Sequence, residues 1–155
     1  MGTSTAARMG DRQQAIATLN DLIEVCEDAH KLYASASEDT ANPHLRELFV
    51  WHSRQRDRFV TELQGLVRWL GGTPKERGST KGALLRGYLD VKAALAGTDG
   101  AVIDECERAE DRLMKAYEAA LRHPFAWEIH DPVRQEFEIV SAAHAHLQHL
   151  RDFGA

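Results

Sequence analysis

The chain has 155 residues, 43% of them hydrophobic and 28% charged, with a formal charge of −5. That is one domain's worth of an ordinary globular chain, long enough to bury a core. It lacks the clustered Lys and Arg that nucleic-acid phosphates require, and no apolar run reaches the roughly 18 residues of a membrane span. Two cysteines are too few for a disulfide scaffold, and Cys26 and Cys106 both fall on apolar helix faces. The N-terminus has no apolar signal-peptide centre, and Ala6 stands where a myristoylation pattern needs Ser or Thr, so a cytoplasmic protein is expected.

Helical periodicity covers nearly the whole chain and no strand pattern competes with it. After a flexible N-terminus over 1–12, the spacing predicts a single four-helix domain over 13–152. Helix A reads from Gln13 to Glu38, with a seam of Ile16, Leu19, Ile23, Cys26, His30, Tyr33 and Ser37 spaced alternately three and four. Asn42 can cap the next helix, with Pro43 in its first position. Helix B then runs to Leu70 along Leu45, Phe49, His52, Arg56, Phe59, Leu63, Leu66 and Leu70, and Gly71-Gly72-Thr73-Pro74 ends it.

A polar linker over 75–80 leads to a short helix over 81–95, broken by Ala96-Gly97-Thr98-Asp99-Gly100. Helix C extends to Arg122 with the stripe Ile103, Cys106, Leu113 and Tyr117, interrupted by Glu110. A second cap pair, Asp131-Pro132, is expected to start helix D, whose seam is Val133, Phe137, Val140, His144, Leu147 and Arg151. Four long helices with one long connection describe an all-α, ferritin-like four-helix bundle with an extra helix in the B–C crossover. The alternative is an up-down bundle with that helix packed outside.

Every long helix places a polar residue in its seam. Measured from the hairpin turns, His30 and His52 lie level, as do Glu110 and His144, and both pairs sit near mid-height. One reading is a metal site in which His30, His52, Glu110 and His144 hold iron or zinc. The other is a structural polar layer of Arg56, Glu107, Glu110 and His144, in which Arg56 answers the carboxylate and fixes register. His44, His123, His130, His146 and His149 read as surface residues. Trp51, Trp69 and Trp127 lie off the seams and are assigned to packing of the crossover helix or to an oligomer contact.

The segments LNDLIEVCEDAHKLY (19–33), LFVWHSRQRDRFVTELQ (48–64), GALLRGYLDVKAAL (82–95), ECERAEDRLMKAYEAAL (105–121) and AAHAHLQHLRD (142–152) resemble successive blocks of a bacterial ferritin-like family, a domain of unknown function. The ECERxED and GxLxRGxxDxKAAL blocks carry the resemblance most specifically, and it spans about residues 15–152. It implies a ferritin-like fold, a bacterial source and no established activity, with Asp28, Arg56, Glu107, Glu110, Tyr117 and His144 at positions the family usually keeps. Leu85, Tyr88, Ala109 and His30 stand where relatives often have His, Trp, Gly and Glu. Neither His52 nor His144 has a Glu three residues before it, so the di-iron Glu-x-x-His signature is missing. The expectation is a non-enzymatic bundle acting through a homo-oligomer or an unidentified protein partner, with the metal-binding bundle as alternative.

Overall fold

A computed structural model of the chain describes residues 2–78, 82–95 and 98–154. Five helices account for almost all of it: α1 (Gly2–Asp39), α2 (Pro43–Trp69), α3 (Ala83–Leu95), α4 (Asp99–Leu121) and α5 (Trp127–Phe153). No strand occurs among the described residues. The expected start of the short helix at Lys81, the end of the 75–80 linker and the break at 96–97 lie outside the described residues.

Local chemistry sets most helix ends as expected. The Asn42 side chain accepts hydrogen bonds from the His44 and Leu45 amides, and Pro43 follows it into α2. This satisfies two of the four amides that a helix start leaves without partners. Gly71 then takes a φ of 79° just past α2, the left-handed conformation that glycine adopts without a Cβ clash. Thr98 caps α4 through the Ala101 amide.

Two helix starts differ from expectation: α1 begins at Gly2 rather than Gln13, and the start of helix D is also earlier. Helix α5 begins at Trp127, so Asp131 and Pro132 lie inside it. Asp131 caps no backbone amide; it accepts instead from Arg134 and Gln135, both at 3.0 Å. The earlier start adds a buried Ile129 to the apolar row.

Helices α1 and α2 form one hairpin, α4 and α5 the other. Cross-helix contacts give their directions. Tyr33 meets Glu110 and Cys26 meets Tyr117, so α1 and α4 run antiparallel. Arg56 meets Glu110 and Phe59 faces Tyr117, so α2 and α4 run parallel. The connection between those two must therefore return the length of the bundle, and α3 lies in it, packed on α1 and α4. Of the helix pairs that touch, α2 and α5 touch least, leaving that side the most open.

Helix α3 is held by α1. Both Asp28 oxygens accept amides from its first turn, Leu84 at 2.5 Å and Leu85 at 3.0 Å. Further along, Tyr88 donates to Asp39 at 2.5 Å and Lys92 pairs with the same carboxylate at 2.8 Å. The three tryptophans do not pack this crossover helix: Trp51, Trp69 and Trp127 are 55%, 61% and 68% exposed. They lie on α2 and α5, whereas α3 covers α1 and α4.

Candidate functional site

The bundle core follows the predicted stripes on α1, α2 and α4, and those stripes bring their polar members inward. On α4, Ile103, Cys106, Glu110, Leu113 and Tyr117 are all buried. Glu110 has no exposure, nor does Arg56 opposite it, and the two form an ion pair. Tyr33 donates to the second Glu110 oxygen at 2.7 Å. Arg56 also donates to Gln55 at 3.1 Å and lies over the rings of Phe59 and Tyr33 at 5.3 and 5.9 Å. A buried charge is tolerated only when paired and hydrogen-bonded, as both of these are.

Glu107 and His144 form a separate contact nearer the surface. His144 Nε2 lies 3.0 Å from one Glu107 oxygen and 3.7 Å from Asp111. Arg151 donates to the other Glu107 oxygen at 2.9 Å. The expected polar layer thus has two parts: Arg56 with Glu110 inside, and Glu107 with His144 at the α4–α5 edge.

The four residues considered as metal ligands go to different places. His30 turns toward α2, with Nδ1 2.9 Å from the Ser53 carbonyl and hydroxyl oxygens, and Nε2 4.0 Å from Asp57. His52 is buried between Tyr33 and Trp51, at ring distances of 5.0 and 5.2 Å. Burial, then the Arg56 and His146 charges, push its pKa down to about 3, so the ring is neutral near pH 7. Glu110 is taken by Arg56, and His144 by Glu107. Among the described residues no group of three or more His, Cys, Asp or Glu side chains converges as a metal site would need.

One buried carboxyl escapes a reading of the sequence by hydrophobic pattern. Glu136 of α5 is 1% exposed and accepts a hydrogen bond from Tyr117 at 2.7 Å. The Tyr117 oxygen also lies 3.1 Å from Cys26 Sγ. Burial, and then the neighbouring Glu62 carboxyl, raise the Glu136 pKa well above its ordinary value and favour the protonated acid. The α5 core row is therefore Ile129, Val133, Glu136, Val140, Ala143 and Leu147. Phe137 and His144, expected in the seam, flank it instead. A 4–3 spacing through position 136 was the available signal, but an apolar Phe at 137 outweighs a Glu at 136 in any hydrophobic count.

The thiols offer no reactive centre. Cys26 and Cys106 are both free and fully buried, and burial raises both pKa values, which disfavours the nucleophilic thiolate.

Fold and site together define an all-helical bundle whose interior is crossed by an Arg–Glu ion pair and a Tyr–Glu hydrogen bond. A family model described as a domain of unknown function (DUF2383) matches residues 14–123, and the chain belongs to that family. The match takes in most of α1 and all of α2, α3 and α4, and it ends before α5. No curated protein matches the chain. No helix among the described residues is long and apolar enough to cross a membrane.

Proposed function

We propose that this protein is a ferritin-like bundle of a cytoplasmic, bacterial type that acts by self-association rather than by catalysis. Two antiparallel hairpins joined by a long crossover, with α2 and α4 parallel, support the ferritin-like arrangement. The pairing of Glu110 with Arg56, and the burial of both thiols, support a structural role for the interior.

The observation that carries association is the exposure of three tryptophans by more than half each, two of them on one helix. Aromatic residues, Trp among them, are enriched where protein interfaces bury surface. Iron or zinc on His30, His52, Glu110 and His144 would require Glu110 to leave Arg56 and three imidazoles on different helix faces to converge. No observation favours that second reading.

Sedimentation velocity across a wide concentration range tests the proposal. The wild-type chain should sediment heavier than its 17.3 kDa. Replacing Trp51, Trp69 and Trp127 together by Gln should return it to monomer. A wild type that stays monomeric at every concentration refutes self-association.

A further inference from the structure

Helix α2 carries a second row on its outer face: Trp51, Gln55, Arg58, Glu62, Gly65 and Trp69; its middle members Gln55, Arg58 and Glu62 border the α2–α5 cleft, where Glu62 meets Glu136. All are exposed except the half-buried Gln55. The steps alternate four and three, the 3.5-residue repeat by which one helix offers a seam to another. From Trp51 to Trp69 the row extends about 27 Å.

The row is symmetric about the level of Val60. Trp51 and Trp69 stand nine residues to either side of it, Gln55 and Gly65 five, Arg58 and Glu62 two. An antiparallel copy related by a two-fold axis at that level lays Trp51 against the second copy's Trp69. It sets Arg58 against the second copy's Glu62, and Gln55 over the second copy's Gly65, twice each by symmetry. Parallel pairing would instead oppose Arg58 to Arg58 and Glu62 to Glu62.

Gly65 supplies an independent observation. A glycine in mid-helix is less stable than alanine, and a Cβ added here would meet nothing within 4 Å of its own chain. Close approach of a second helix gives it a use that the monomer does not. Ile139 of α5 is 37% exposed and lines the same α2–α5 cleft of about 400 Å³ as Phe59.

We propose that the outer face of α2 is the interface of an antiparallel two-fold dimer of this chain, closed by two Trp51–Trp69 contacts and two Arg58–Glu62 pairs. This rests on the self-association reading and names its surface.

The test measures the mass of the full-length protein by light scattering and its dissociation constant by sedimentation. Wild type should be a dimer. Glu62→Arg brings Arg beside the second copy's Arg58 and should weaken the dimer at least about tenfold. Glu62 is exposed but hydrogen-bonds Glu136 across the α2–α5 cleft, so a melting curve of each variant checks that the monomer stays folded. The double variant Arg58→Glu with Glu62→Arg exchanges the signs and should restore the dimer. Gly65→Leu should block it without lowering the melting temperature of the monomer. A wild-type dimer indifferent to Glu62→Arg, or not rescued by the exchange, overturns this interface while leaving self-association through another face. A wild type that is monomeric throughout overturns both.

Discussion

Arg56 of α2 and Glu110 of α4 meet where neither side chain has any exposure. Their energetic character differs from that of the surface pairs, such as Lys115 with Asp111, which gain little in water. Removing one buried partner strands a charge and costs about 3–5 kcal/mol, whereas replacing both is often neutral or stabilising. Glu110→Gln keeps an acceptor for Tyr33 but leaves Arg56 unneutralised, so denaturant unfolding should show a loss in that range. Arg56→Met with Glu110→Gln should recover most of it. Additive losses in the double variant would contradict the pairing.

Acid and alkaline limits of stability should trace to two different groups. His52 is held down to about 3 by burial, Arg56 and His146, from an ordinary value of 6.5. The unfolded chain therefore binds a proton at His52 that the folded chain refuses, and stability falls as pH drops from 6.5 towards 3. The slope from this one group is at most about 1.4 kcal/mol per pH unit. Glu136 has the opposite sign: its raised value makes a contribution fully present below 4.5 and lost as pH rises through the folded value. Thermal melts against pH should show a shallower acid limb in His52→Phe. Glu136→Gln should melt several degrees higher than wild type on the alkaline side. If either variant only shifts the whole curve vertically, the assignment of that limb is wrong.

Asp28 should matter more to α3 than to the helix that carries it. Asp28→Ala removes the acceptors of two α3 amides, and loss of a cap costs about 0.5–2 kcal/mol. Hydrogen exchange should speed up at Leu84 and Leu85 before it does in α4. Uniform acceleration across all five helices would assign Asp28 to the core instead.

Much of this was legible in the residues. The Asn42-Pro43 start and the rows on α1, α2 and α4 follow from local chemistry and helical period; His30, expected level with His52, meets the next residue, Ser53. Helix α5 shows the limit. Two rows, one through Phe137 and His144 and one through Glu136 and Ala143, share Val133, Val140 and Leu147 and differ by one residue of rotation. Period fixes spacing but not that rotation; the buried Tyr117 hydroxyl, which needs an acceptor, fixes it. The outer α2 row was hidden for a related reason. A mixed row of Trp, Arg, Glu and Gly has no hydrophobic signal, and only its exposure makes its symmetry noticeable.

The capping of α3 by Asp28 carries a consequence for the order in which the chain folds. The acceptor lies 56 residues upstream of the amide it receives. A helix of 13 residues is too short to persist alone in water. An excised crossover peptide should therefore be largely unstructured, and in the intact chain this segment should become helical only once α1 is in place. Its formation would then report that α1 is already in place, a non-local event in a protein otherwise built from local ones.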